Sequence, residues 1–238
     1  MIMAGEVSVD AVVVDKPGTF VRPEADITLK EKPRYVSRGG LKLEAALDTF
    51  RVDPTGKICA DIGSSTGGFT DCLLQHGAAK VYAIDVGSGI LDYRLRTDCR
   101  VETMENTNAR YLGSLGEPVE IVVIDVSFIS LRLILPAVSG LVEPAADVIA
   151  LVKPQFEAGR SEVGKGGIVR DVMVHRRVLL ETAAAANSLR FAALDVMRSP
   201  ITGAKGNVEY LMWLKLGYAA ETRQTLEDKI YALTSSDQ

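Results

Sequence analysis

Four charged residues at the ends of apolar runs could do chemistry together. Asp125 closes Glu120-Ile-Val-Val-Ile, Lys153 closes Asp147-Val-Ile-Ala-Leu-Val, and Glu209 stands at the start of the run from Val208 to Leu216. A lysine ending a buried strand is unusual, because burying its charge is costly without partners. Pro154 behind it favours extended backbone at Lys153. In a parallel sheet whose last strand is antiparallel, the carboxyl ends of the first two runs lie beside the amino end of the third. A helix beginning near Gly39 would bury Leu43, Leu47 and Phe50, which leaves Lys42 off the buried stripe and able to swing to the same edge. Two ammonium groups and two carboxylates gathered in a pocket could take, hold or orient a proton. Scattered, they would be unrelated strand-end charges.

The pocket itself would come from residues 57 to 69. The apolar run Ile58-Cys59-Ala60 ends in Asp61, and the small residues Gly63, Ser64, Ser65, Thr66, Gly67 and Gly68 follow. Phe69 to His76 then has helical spacing. Strand, glycine turn and helix open a doubly wound α/β domain, in which ligands lie beyond the carboxyl ends of the strands. Glycines let a ligand touch the backbone, and the helix start offers free N–H groups. The Gly-x-x-x-Gly-Gly spacing differs from the Gly-x-Gly-x-x-Gly dinucleotide fingerprint. It resembles the S-adenosylmethionine (SAM) loop of Rossmann-like methyltransferases. Asp85 closes a second apolar strand 24 residues beyond Asp61, a spacing at which an acid reaches ribose hydroxyls, with Val86 beside it. Glu105 and Asn106, after a short strand at 101–104, would fall where an adenine binds.

The elements that must position these groups read as α/β: a seven-stranded, mostly parallel sheet with an antiparallel last strand. Ser127 is a candidate cap for a helix from Ile129 to Val142 with Pro136 inside it, and His175 to Leu189 reads as an amphipathic helix. Residues 155–174 form a long polar loop carrying Arg160, Lys165 and Arg170, and Ser199 to Asn207 another loop near the same edge. Residues 1–33 stand apart: Val7 to Val14 reads as β, Asp15-Lys-Pro-Gly18 as a turn and Ile27-Thr-Leu29 as a strand, too little apolar material for a core of its own. The expected organisation is an appendage and linker at 1–33, a catalytic domain at 34–220 and a charged tail at 221–238.

Composition excludes several classes. The chain has 238 residues, no apolar run of membrane-spanning length and no signal-peptide pattern at Met1. Cys59, Cys72 and Cys99 are odd in number and lack metal spacing, so they read as reduced cytosolic thiols and no metal is expected. His76 and His175 read as helix-surface residues. With a net charge of −4, any polyanion contact must use local patches, such as Lys30, Lys32, Arg34, Arg38 and Lys42.

Five segments in order resemble the TlyA-type (hemolysin A) family of FtsJ-like RNA methyltransferases. They are Val36-Ser-Arg-Gly-Gly-Leu-Lys42-Leu, Asp61-Ile-Gly-Ser-Ser-Thr-Gly-Gly-Phe-Thr, Ile124-Asp125-Val-Ser-Phe-Ile-Ser-Leu, Leu151-Val-Lys153-Pro-Gln-Phe-Glu and Gly206-Asn-Val-Glu209-Tyr. The resemblance implies a Rossmann-like SAM-dependent methyltransferase that methylates ribose 2′-hydroxyls of ribosomal RNA within ribosomal subunits in the cytoplasm. It implies S-adenosyl-L-methionine as cofactor, held by Asp61, the 63–69 turn, Asp85, Val86, Glu105, Asn106 and Asp125. The family's Lys-Asp-Lys-Glu catalytic set falls on Lys42, Asp125, Lys153 and Glu209. Arg34, Arg38, Arg170 and Lys205 are the RNA-contact candidates. The family opens with a ribosomal-protein-S-four-type RNA-binding domain, and Met3 to Gly18 resembles only its C-terminal strands. Three rivals are a dinucleotide oxidoreductase, a SAM- and RNA-binding protein without catalysis, and a hemolysin whose lytic effect is indirect. The glycine spacing and the Asp125/Lys153 pair count against the first.

Overall fold

A computed structural model describes residues 1–30, 33–218 and 223–235. Glu31 and Lys32 of the basic run, and 219–222 and 236–238 of the expected tail, lie outside the described residues. The chain clusters into two units, Met1–Arg34 and Tyr35–Gln238. The first is a three-stranded sheet in the order β2-β1-β3, built from β1 (Val7–Val9), β2 (Val12–Val13) and β3 (Ile27–Leu29). The apolar run expected as one β segment is a hairpin, because Asp10 and Ala11 take positive φ (49° and 65°) between its strands. The Asp10 carboxylate accepts from Asp26 N at 3.0 Å and so joins the hairpin to the third strand.

The second unit contains β4 (Ile58–Ile62), β5 (Lys80–Ile84), β6 (Val101–Met104), β7 (Val119–Ile124), β8 (Val142–Val152), β9 (Phe191–Arg198) and β10 (Tyr210–Leu216). They form one sheet in the order β6-β5-β4-β7-β8-β10-β9. Strands β6 to β8 pair in parallel, and β10 runs antiparallel to both β8 and β9. Its helices are α1 (Gly39–Phe50), α2 (Gly68–Gln75), α3 (Tyr93–Arg96), α4 (Leu131–Leu141), α5 (Pro154–Glu157), α6 (Val172–Ser188) and α7 (Arg223–Leu233).

Alternation along the strands makes two cores. Ile62, Val122, Ile124, Val148 and Met212 pack with α4 and α6 residues such as Leu135 and Leu179. Cys59, Ile121, Val123, Ile149 and Leu211 pack on the opposite face with α1 and α2 residues such as Leu43 and Leu73. Successive side chains of a strand point to opposite faces, so a strand buried on both sides reads as a continuous apolar run. Truncating the fully buried Leu43 to alanine would cost about 2–5 kcal/mol and free the helix that carries Lys42.

Several boundaries differ from the sequence reading for local reasons. Helix α4 begins at Leu131, where Ser130 accepts from Arg132 N; Ser127 is engaged by Lys153 instead. Helix α6 begins at Val172, capped by Asp171. The 155–174 loop contains α5 and a short 3-10 turn at Arg160–Glu162. Within the segment read as a tail, α7 places Leu226 and Ile230 in the core beside α6 and β9.

Candidate functional site

The glycine turn joins β4 to α2. Gly63 (φ +86°) lies against the next strand end so closely that a Cβ would stand 2.5 Å from Asp125 O, and Gly67 (φ +95°) is the residue from which α2 starts. Gly67 and Asp61 shape the turn from beneath and line neither of the two cavities beside it. Asp61 is fully buried, and its Oδ2 accepts from Thr70 N at 2.9 Å and Thr70 Oγ1 at 2.6 Å. Burial nevertheless pushes its carboxyl up to about 7 against the lowering effect of the Thr70 bonds, helped by the nearby Asp125 and Asp85 charges. The Asp85 carboxylate accepts from Ser65 N (2.8 Å) and Gly87 N (2.7 Å), so the acid ending β5 fixes the turn after β4.

A cavity of about 370 Å³ opens beside this turn, between Gly63, Asp85 and Val86 on one side and Val126, Phe128 and Ile129 on the other. Thr107, Asn108 and Ala109 close its end. Glu105 and Asn106, expected there, do not line it. Glu105 is drawn away by Gly89 N, Ser88 Oγ and an ion pair with Arg96, and Asn106 turns the chain at φ +53°. The residues that do line that end follow one turn later, a displacement that residue types could not show.

A second cavity, of about 320 Å³, shares Gly63, Ser65, Asp125 and Ser127 with the first and adds Ser64, Thr66, Gly68, Phe69, Arg38, Lys42, Lys153 and Gly203. Here the four charged residues meet. Lys153 Nζ pairs with Asp125 Oδ1 at 2.6 Å and donates to Ser127 Oγ at 2.9 Å. Lys42 Nζ pairs with Glu209 Oε2 at 2.5 Å across 167 residues of sequence. Gln155 Nε2 lies 3.4 Å from the other Glu209 oxygen. Lys42, Lys153 and Glu209 are 8%, 8% and 3% exposed, so each charge depends on its partner. Glycine at 203 is required because a Cβ there would overlap the Glu209 carboxylate. Phe128 and Phe156 meet at the rim with centroids 5.0 Å apart and ring planes tilted by 49°, and the Lys153 ammonium lies 5.7 Å from the Phe156 ring centre.

Of the basic candidates, Arg38 lines this cavity, Arg170 and Lys205 are exposed on the 155–171 and 199–207 loops, and Arg34 ends the first unit. Sequence reasoning missed Ser127 as a lysine partner and Gln155 as a glutamate partner. Both sit in segments already singled out, and their adjacency to Asp125 and Lys153 was the available signal. The expectation that both histidines lie on helix surfaces fails for His175. It is buried, donates Nε2–H to Val169 O (2.9 Å) and accepts at Nδ1 from the Tyr210 hydroxyl (2.9 Å). Burial raises the Tyr210 phenol above its ordinary value, which keeps that proton in place. Beside it, Asn207 accepts from Val169 N and donates to Gly167 O, fastening the long loop to the start of β10. No cluster suited to a metal ion occurs among the described residues.

Known proteins resemble this chain in sequence and fold. A family model described as FtsJ-like methyltransferase matches residues 35–216. A Mycobacterium tuberculosis protein named 16S/23S rRNA (cytidine-2′-O)-methyltransferase TlyA is 43% identical over 99% of this chain and 90% of its own length. Hemolysin A of Brachyspira hyodysenteriae is 43% identical over 89% of each chain. The solved structure of a Streptococcus thermophilus protein described as a candidate hemolysin covers 98% of this chain and 87% of its own, with a TM-score of 0.81 and 43% identity. An S-adenosylmethionine dependent methyltransferase from Mesorhizobium loti shares the fold at a TM-score of 0.54 and 14% identity, covering 72% of this chain and 96% of that one. The matched span runs from just before Lys42 to the end of β10, so it takes in both lysine–carboxylate pairs and the glycine turn between them, and this chain belongs to the FtsJ-like methyltransferase family.

Proposed function

We propose that this enzyme uses S-adenosyl-L-methionine to methylate a ribose 2′-hydroxyl of ribosomal RNA. The observation that carries this reading is the convergence of the Lys153–Asp125 and Lys42–Glu209 pairs on a cavity floored by the glycine turn. The residues present suit a cationic nucleoside donor. Gly63 leaves open backbone where a side chain would intrude, Asp85 stands where it can accept from neighbouring ribose hydroxyls, and Asp125 brings a carboxylate to the wall beside the turn. When bound, the donor supplies an electrophilic methyl group on a sulfonium.

The chain's own part is to hold the acceptor hydroxyl in line and to stabilise the charge that grows on it. Lys153 has three N–H donors as an ammonium, and Asp125 and Ser127 use two of them. The third remains for the attacking 2′-oxygen and stabilises the negative charge growing there, while the hydroxyl proton passes to the Asp125 carboxylate, which lines the same cavity. Lys42, held by Glu209, adds a second positive charge on the same wall. Arg34, Arg38, Arg170 and Lys205 supply phosphate contacts, and the exposed aromatic rim offers an RNA base a stacking surface. Residues 1–33 act in RNA binding on this reading, 34–220 in catalysis, and a ribosomal substrate places the protein in the cytoplasm.

The test is methyl incorporation into purified ribosomal subunits, with calorimetry against S-adenosyl-L-methionine and NAD. Lys153→Ala should lower transfer by about 100-fold or more while donor affinity stays within about threefold. Transfer at the wild-type rate in that variant would remove Lys153 from the chemistry.

A further inference from the structure

Two segments face each other at the end of the sheet: the loop after β7, residues 125–131, and the turn after β8, residues 153–157. Two sets of bonds join them. One is the pairing of Lys153 with Asp125 and Ser127. The other is made by Glu157, whose Oε1 accepts from Leu131 N at 2.7 Å and whose Oε2 accepts from Ser130 Oγ at 2.6 Å. Arg132 Nε lies 4.0 Å from the same carboxylate. Glu157 is buried and lines neither cavity of the site, so it does not touch what binds there.

Capping accounts for part of this carboxylate's role, since its bond to Leu131 N satisfies the first open N–H of α4. Ser130 also caps α4 by accepting from Arg132 N at 3.2 Å. What further needs restraint is the loop itself. Phe128 sits at φ +64° and is 90% exposed, an aromatic side chain held in a conformation that L-residues avoid, with the tilted contact to the Phe156 ring beside it. Such a loop relaxes unless both ends are fixed. The hydrogen bonds of β7 fix one end; Glu157 fixes the other.

We propose that Glu157 is a positioning residue for methyl transfer: by holding Ser130 and Leu131 it keeps the 125–130 loop in the strained form that presents Asp125 and Ser127 to Lys153. The kinetic part of this inference rests on the methyltransferase reading; its structural part does not. Competitive trace acetylation of the full chain, read by mass spectrometry across a range of pH, measures how well the Lys153 ammonium is held. In Glu157→Ala the labelling of Lys153 should rise several-fold, as in Ser127→Ala. The double variant should label no faster than the faster single one, because both act through the same bond. Glu157→Asp keeps the charge but falls short by one methylene and should behave like the alanine variant. Glu157→Gln still offers an acceptor to Leu131 N and should recover most of the protection. Lys80, at the opposite end of the sheet and bonded to Tyr82 and Glu117, is the internal control and should not change.

In the transfer assay, Glu157→Asp should lower kcat by about tenfold with the KM for RNA and donor affinity little changed. Unchanged Lys153 labelling in both the alanine and aspartate variants, an equal rise at Lys80, or effects that multiply in the double variant would overturn the inference. Absence of transfer by the wild-type protein would instead overturn the substrate reading, and the labelling result would stand on its own.

Discussion

Asp61, buried beneath the glycine turn, carries a large perturbation, and the sign of its effect is fixed by burial. Its folded-state pKa is raised to about 7 from 3.8, so the folded protein keeps a proton that the unfolded chain releases. The resulting stability is fully present below the ordinary value and is lost as pH rises toward 7, an effect on the order of 4 kcal/mol. Asp61→Asn keeps an acceptor for Thr70 and should lose less stability than wild type between about pH 5 and about pH 8. Parallel melting curves for the two proteins would show that Asp61 is ionised throughout. At this scale the sequence was most informative where a residue broke a rule. Lys153 stood out because ammonium groups seldom end apolar strands, and Asp85 because acids seldom recur at strand ends by chance. Ser127 and Gln155 broke no rule and stayed hidden. Glu105 misled because its neighbourhood holds Arg96 and free N–H groups that only the folded chain brings close.

Between elements, the spacing of backbones is set by the absence of side chains. Gly63 lets β4 and the end of β7 approach each other, and its φ of +86° penalises any L-residue. Gly63→Ala should weaken donor binding in calorimetry by more than about tenfold and lower stability by about 1–3 kcal/mol. Retained donor affinity would mean that the turn does not form the donor's seat. Strand and helix assignments survived because both faces of the sheet are buried, which turns each strand into an apolar run that periodicity detects. Helix starts did not survive as well. Ser127 and Ser130 are equally good caps on paper, and the choice depends on a lysine 26 residues away. The split of 7–14 into a hairpin was hidden because Asp-Ala is a poor turn signal; the tail's helical start was legible, but its seat in the core was not, because its apolar content is low apart from Leu226 and Ile230.

Taken whole, the molecule is acidic, with a net charge of −4, yet its basic residues near the site fall on three different loops. With Arg34, Arg38, Arg170 and Lys205 as phosphate contacts, the logarithm of RNA affinity should fall against the logarithm of salt with a slope of about −3. A slope near zero would take these residues out of RNA binding, and a far steeper one would require cations elsewhere. The topology of the sheet carries a different consequence. Because β10 enters between β8 and β9, Glu209 reaches Lys42 only after nearly every other strand has been placed. A nascent chain not yet extended through β10 would have the glycine turn, Asp125 and Lys153 in order, yet the partner of Lys42 would be missing. On the proposed reading, competence for catalysis waits until that strand has been made, a safeguard in a protein whose own translation takes place on the kind of particle it is proposed to modify.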